Sequence, residues 1–171
     1  SFLLKGAIRM PTSKSDWFES LLFTINNKDF LSASLSNKTK IFKVETDEKI
    51  LKLSYPKNLN FDVDQSKLTD IRETINGFYF YDVRKSKTKN LVNLPTLTFE
   101  TTSGLVLSLS SLTKDTKGES WIKISAIAKK PAAKKIAEEI TNKTKGFEFL
   151  ANVNTSDILR WNLKNLAAKN K

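Results

Sequence analysis

Hydrophobic and polar positions alternate along much of the chain, as in strands with one buried and one solvated face. The alternation is clearest from residue 96 onward, where Leu97 and Phe99, and then Leu105, Leu107 and Leu109, alternate mainly with hydroxyl and acidic residues. The predicted strands cover residues 2–10, 30–35, 40–46, 49–55, 78–83, 96–102, 105–112, 120–128 and 147–149.

Four other segments carry hydrophobic residues at helical spacing. Asp64 is a favourable N-cap for a helix that continues to Asn76, and Pro131 occupies the preferred first position of another helix. The helix nearest the N-terminus has Leu21 and Leu22 on its hydrophobic face. The four predicted helices begin at Ser13, at Asp64, at Pro131, and at Thr155 or Ser156.

Hairpins and a meander interrupted by helices are typical of an α+β fold rather than of a parallel, doubly wound sheet. We predict antiparallel strands packed against three to four helices. The order strand, strand, helix, strand occurs twice, at residues 40–83 and 105–149, which favours two similar β-β-α-β subdomains. With 171 residues, the chain is long enough for one ordinary domain or two small ones. The predicted subdomains are 1–84 and 85–171, with one continuous domain as the alternative.

The composition excludes several kinds of chemistry. The chain contains neither Cys nor His, so disulfides, thiolate catalysis, zinc sites and His-dependent catalytic triads are excluded within it. Its five Gly residues stand singly at predicted turns, and no Gly-rich phosphate loop of the Walker or dinucleotide type is present. We therefore predict no metal site and no bound cofactor.

Paired acids are the remaining candidates for catalysis, and each pair has a simpler structural interpretation. Asp62 and Asp64 precede a predicted helix, where carboxylates cap the N-terminus and interact favourably with the helix dipole. The other pairs fall in a turn and on a solvated helix face; they are Asp47 with Glu48 and Glu138 with Glu139. Because nothing in the sequence places a second acid opposite any pair, we predict that the protein is not an enzyme.

Basic residues are in excess, mainly in the second half of the chain. Lys and Arg total 29 against 18 Asp and Glu, for a formal charge of +11. Through residue 83 there are 12 basic and 11 acidic residues, whereas from residue 84 onward there are 17 and 7. Such an excess favours an anionic partner, either nucleic acid or a membrane surface. The candidate basic surface consists of Arg84, Lys85, Lys87, Lys89, Lys129, Lys130, Lys134 and Lys135.

An aromatic strand, Phe78-Tyr79-Phe80-Tyr81, precedes the first of these basic residues. One interpretation is a stacking platform for single-stranded nucleic acid beside a phosphate-binding stripe. The other is an inner strand whose alternate aromatic side chains pack on both faces. We favour packing, because only four of the 29 basic residues are Arg, which nucleic-acid recognition uses most for bidentate contacts.

Several short segments of the chain carry a resemblance to a known family. They read FLLKGAIRMP at 2–11, GFYFYDVR at 77–84, FETTSGL at 99–105, WIKISA at 121–126 and GFEF at 146–149. In these segments the chain resembles the bacterial domain-of-unknown-function 4340 family, whose members accompany gliding-motility-type ABC transporters. The resemblance implies an accessory protein outside the cytoplasm, periplasmic and held at the inner membrane by a helix upstream of this chain. No catalytic residue is established for the family, so the resemblance implies none.

The residues and the resemblance together predict a non-catalytic, extracytoplasmic binding module. Its expected partners are proteins, either ABC transporter components or other proteins of the cell envelope. The alternative is a soluble module that binds single-stranded nucleic acid through the aromatic strand and the basic connection over residues 78–89.

Overall fold

The computed structural model describes residues 21–48, 50–87, 93–114 and 120–168. These residues form nine strands, β1 to β9, at Leu21–Phe23, Phe30–Asn37, Thr39–Asp47, Ile50–Tyr55, Phe78–Lys85, Thr96–Thr101, Leu105–Lys114, Ser120–Ala128 and Phe147–Ala151. They also form three α-helices, α1 to α3, at Gln65–Glu73, Lys134–Thr144 and Val153–Ile158. Short 3-10 turns lie at Asn27–Asp29, Pro131–Ala133 and Leu163–Leu166.

The strands form one antiparallel sheet in the order β1-β5-β9-β8-β7-β6-β2-β3-β4. The predicted α+β class with antiparallel strands is confirmed. Strands from the two halves of the chain are neighbours at two places, where β2 pairs with β6 and β5 pairs with β9. As a result six strands lie between β5 and β4, the strand that precedes it in the sequence.

The hydrophobic core lies on one face of this sheet. A row of buried cross-strand neighbours crosses five strands, from β3 to β8. Its members, in spatial order, are Phe42, Leu35, Leu97, Leu109 and Ile124. Leu97 and Leu109 come from the segments in which the predicted alternation is clearest, so the period-two pattern placed these two side chains on the buried face.

Helices α1 and α2 cover the core face of the sheet. Leu68 and Ile71 of α1 and Ala137 and Ile140 of α2 belong to the same buried cluster as the sheet residues. The predicted cap of α1 is confirmed, since an oxygen of the Asp64 carboxylate accepts hydrogen bonds from the backbone N–H and the hydroxyl of Ser66 at 2.9 and 2.7 Å.

Each predicted helix differs from the structure in its bounds or its kind. Helix α1 ends at Glu73 rather than Asn76, and Pro131 begins a 3-10 turn, after which α2 begins at Lys134. Leu21–Phe23 is a strand that pairs with β5, although Leu21 and Leu22 were expected on a helix. The start of that helix at Ser13 and the strand predicted at 2–10 lie outside the described residues. The last helix begins earlier than predicted, because Asn152 rather than Thr155 or Ser156 is its N-cap.

The opposite face of the sheet, which we call the polar face, is rich in hydroxyl groups. Ser34, Thr98, Ser108 and Ser125 are successive cross-strand neighbours on β2, β6, β7 and β8. The hydroxyls of Thr98 and Ser108 lie 3.3 Å apart, within hydrogen-bond distance. Since neither α1 nor α2 packs its core residues here, this face presents polar groups between the strands.

Candidate functional site

A buried carboxylate lies on the polar face where β5 pairs with β9. Glu148 is fully buried, and its cross-strand neighbour is Arg84. One carboxylate oxygen, Oε2, accepts a hydrogen bond from Arg84 Nε at 2.8 Å. The other, Oε1, accepts from the hydroxyl of Ser86 at 3.1 Å and from the backbone N–H of Lys87 at 3.0 Å. Glu148 therefore ties the end of β5 and the residues after it to β9, and its burial is compensated by charge and hydrogen bonds.

The Arg84 guanidinium is held on its face as well as on one edge. Its central carbon lies 3.9 Å from the centroid of the Trp121 ring, a close cation–π contact. Trp121 is on β8 and pairs with Leu150 of β9, so the ring stands one strand beyond Glu148. The Arg84 side chain is nevertheless 40% exposed. The sequence predicted Arg84 as a surface cation but gave no sign of the two residues that hold it.

The other basic residues predicted at the end of β5 remain accessible. Lys85 and Lys87 are both exposed, and neither forms an ion pair with any residue in the described ranges. Lys89 lies outside the described residues.

The remaining predicted basic residues lie elsewhere in the fold. Lys129 and Lys130 follow β8 and contact the end of β6: Lys129 pairs with Glu100, and Lys130 Nζ donates a hydrogen bond to the carbonyl oxygen of Thr102 at 3.1 Å. Lys134 and Lys135 are exposed on the first turn of α2. The eight predicted residues therefore divide between the end of β5, the connection after β8 and the start of α2, Lys89 excepted.

The aromatic strand β5 packs on one face only. Phe78 stacks on Phe23 with ring centroids 5.4 Å apart, and Phe80 meets Phe149 edge to face at 5.0 Å. Tyr79 and Tyr81 are 48% and 51% exposed. The predicted packing of aromatic side chains on both faces is therefore wrong for the tyrosines, which stand in solvent as large, partly apolar surfaces.

Tyr79 also lines a groove of about 440 Å³ between α1, β5 and α3. Trp161 also lines this groove, with Lys67 Nζ 5.3 Å from the ring centroid. Asn152 connects β5 to α3, because its side-chain amide nitrogen donates a hydrogen bond to the Tyr79 carbonyl oxygen at 3.2 Å while its side-chain oxygen caps α3. The sequence did not predict this groove, since its residues come from three distant segments.

The charged residues of the groove are paired locally. Lys67 Nζ lies 3.6 Å from the Asp70 carboxylate. The side-chain amide of Asn27 donates to Glu73 at 2.7 Å, and this hydrogen bond is the main cause that lowers the pKa of Glu73. The groove thus presents aromatic rings among charges that already have partners, an arrangement suited to binding rather than to proton transfer.

The acid pairs considered for catalysis lie where the structural interpretation placed them. Asp64 caps α1 and Asp62 is exposed beside it. Asp47 pairs with Lys52 across the β3–β4 hairpin at 2.7 Å, and Glu48 forms the turn. In the ranges that the structure covers, no group of three or more acidic residues is arranged to hold a metal ion.

Comparisons with known proteins add no relative: a scan against protein-family models, a search of curated proteins and a search of solved structures each give no match. The resemblance to the transporter-associated family therefore stays a prediction. None of the helices described is long and apolar enough to cross a bilayer.

Proposed function

We propose that this chain is a non-catalytic binding module that works outside the cytoplasm as an accessory to an ABC transport system. A segment outside this chain would hold it at the membrane, as the sequence resemblance implies. The observation that carries the proposal is the surface formed by Tyr79, Tyr81 and the adjoining groove, which we call the tyrosine surface.

The tyrosine surface has the composition of a protein-binding site. Tyr, Trp and Arg are the residues most enriched at interfaces, because they bury large areas at low entropic cost and keep a polar group for hydrogen bonding. Tyr79 and Tyr81 project from a strand whose alternate residues, Phe78 and Phe80, are fixed in the core. The tyrosines are therefore presented from a rigid element, which reduces the ordering cost of binding.

Site-specific photo-crosslinking in cells tests this proposal. A crosslinker at position 79 or 81 of the full-length gene product should capture a membrane component of an ABC transporter. A crosslinker at Tyr55 is the matched control, because this tyrosine is 44% exposed on β4 at the other edge of the sheet. Capture of cytoplasmic proteins alone, or equal capture from position 55, would contradict the proposal.

A second candidate function is binding of single-stranded nucleic acid along β5. It is favoured by one observation, the exposure of Tyr79 and Tyr81 on the strand that ends in Arg84 and Lys85. Exposed rings beside cations can stack bases and pair with phosphates. The test is binding of a fluorescent oligothymidine, which should persist at moderate salt and weaken in Tyr81→Ala but not in Tyr55→Ala. Failure to bind even at low salt would end this alternative.

A further inference from the structure

Arg84 has hydrogen-bonding capacity that its protein contacts do not use. Its Nε is bound to Glu148, and the face of the guanidinium lies on Trp121. The amino nitrogens Nη1 and Nη2 make no hydrogen bond to any residue in the described part of the chain. Since the side chain is 40% exposed, these N–H donors are open to a ligand from solvent.

The arrangement is that of a preorganised anion receptor. An Arg on a protein surface normally loses side-chain entropy when it binds a ligand, but here the carboxylate of Glu148 and the ring of Trp121 already hold the guanidinium in one place. The two free amino groups form an end-on fork that matches two oxygens of an oxoanion. Glu148 is fully buried, so the support behind the fork is part of the folded sheet.

We propose that Arg84 is the anchor of a binding site for a phosphate group, with Glu148 and Trp121 as its positioning residues. The groups around the fork favour a phosphate over a carboxylate. Lys87 follows β5, and its backbone N–H binds Glu148, so its ammonium group can approach a ligand held by the fork. Lys85 is the cross-strand neighbour of Phe147 and stands on the other face of the sheet, so it does not line the fork. A phosphate group offers three terminal oxygens to the fork and to Lys87, whereas a carboxylate offers two.

Asp82 does not block the fork. It lies two residues before Arg84 on the same face of β5, and one of its carboxylate oxygens accepts from the backbone N–H of Val83 at 2.8 Å. No ion pair joins Asp82 to Arg84 in the structure described. The site uses neither Tyr79 nor Tyr81, so it does not rest on the protein-binding function proposed above; Arg84 is shared only with the nucleic-acid alternative.

Side-chain NMR of isotope-labelled protein tests the site. The sequence contains four Arg residues, so the Nε–Hε region holds few signals, and the Arg84 signal is assigned by its loss in Arg84→Lys. Inorganic phosphate, glycerol phosphate and acetate are titrated separately. We expect the Arg84 signal to shift and saturate with one of the two phosphates, and the tighter of them tells whether the site takes a free or an esterified phosphate.

Two variants, whose phosphate affinities are measured from the indole N–H signal of Trp121, decide whether Arg84 causes the binding. Arg84→Lys keeps a cation beside Glu148, so the buried carboxylate stays paired, but it removes the fork and should weaken phosphate binding about tenfold. Arg160→Lys is the matched control, because Arg160 pairs with Asp157 at the end of α3 and should change the affinity less than about twofold. Unchanged phosphate affinity in Arg84→Lys, or acetate binding as tight as phosphate binding, would overturn the proposal.

Discussion

Single residues with unusual backbone conformations decide whether several turns of this sheet can form. Gly104, in the β6–β7 turn, has φ +87°, a left-handed conformation that disfavours any side chain. A Cβ atom there would lie 2.6 Å from Cγ of Lys130. Gly146 has nearly the same φ, +84°, but a Cβ there would meet nothing within 4 Å. The two glycines therefore separate the cost of backbone strain from the cost of steric overlap.

Replacement of each glycine by Ala should measure both costs. Gly146→Ala is expected to lower the free energy of unfolding by about 1 kcal/mol through backbone strain alone. Gly104→Ala should lose about 1 to 3 kcal/mol more, because the stem of Lys130 must move. Urea unfolding of both variants checks this, and equal losses would show that the Lys130 side chain moves aside at no cost.

The buried pair of Glu148 and Arg84 should behave asymmetrically. Arg84→Met keeps contact with Trp121 but takes the guanidinium away from the buried carboxylate, so we expect a loss of about 2 kcal/mol, below the range for fully buried pairs because Arg84 is partly exposed. Adding Glu148→Gln removes the buried charge and should recover part of this loss. A double-mutant cycle by urea unfolding measures the coupling, and additive losses would contradict it.

At the scale of whole elements, the N-cap of α1 makes the stability of this helix depend on pH. A hydrogen bond from the Ser66 hydroxyl is the main cause that lowers the pKa of Asp64, and a second from the Ser66 backbone adds to it. Because the pKa is lowered in the folded state, the stabilisation is present above the ordinary value of 3.8 and is lost as the pH falls through the lowered value.

Asp64→Asn should remove this pH dependence while keeping the cap, because the amide oxygen can still accept the Ser66 hydrogen bonds. We expect the stability difference between wild type and Asp64→Asn to shrink as the pH falls below the ordinary pKa. Asp64→Ala, which loses the cap at every pH, is the comparison variant. Thermal unfolding across acid pH checks the prediction, and a difference that grows on acidification would refute it.

The element predictions succeeded where a local signal decides the structure. The β3–β4 hairpin forms although its turn lacks Gly, because Glu48 adopts a positive φ of 47°. Leu21–Phe23 became a strand because pairing with Tyr79 and Phe78 overrides a pattern that also fits a helix. The predicted start of the last helix was wrong because two polar caps compete there, and Asn152, three residues before Thr155, is the N-cap.

The site formed by Arg84 and Glu148 was harder to predict from the sequence than the fold. Alternation in β9 places Glu148 on the face opposite Phe149, so its separation from the core residues could be predicted. Its partner could not, because Arg84 is 64 residues away and nothing local indicates that β5 lies beside β9. Clusters built from distant strands require the strand order, which a periodic pattern does not contain.

At the scale of the whole molecule, the strand order makes the two halves depend on each other. Strand β6 of the second half pairs with β2, and β9 pairs with β5 of the first half. Buried residues of α1 and α2 also share one cluster.

Separate expression of residues 1–87 and 88–171 should therefore give two fragments that do not fold alone. In each fragment, strands would lack their pairing partners and part of the hydrophobic core would be exposed to solvent. We expect poor dispersion in the NMR spectrum of each fragment and recovery of native-like dispersion when the two are mixed. Two fragments that each fold alone would instead support the predicted subdomains 1–84 and 85–171.

The pairing of β5 with β9 also determines when β5 can join the sheet during synthesis. A ribosome completes β5 at Lys85, but its neighbour β9 ends only at Ala151. During that interval Phe78 and Phe80 belong to a nascent strand whose longest pairing partner does not yet exist. Such a delay prolongs the exposure of aggregation-prone surface and gives chaperones a period in which to bind. Folding of this sheet therefore cannot be completed before Ala151 has been synthesised.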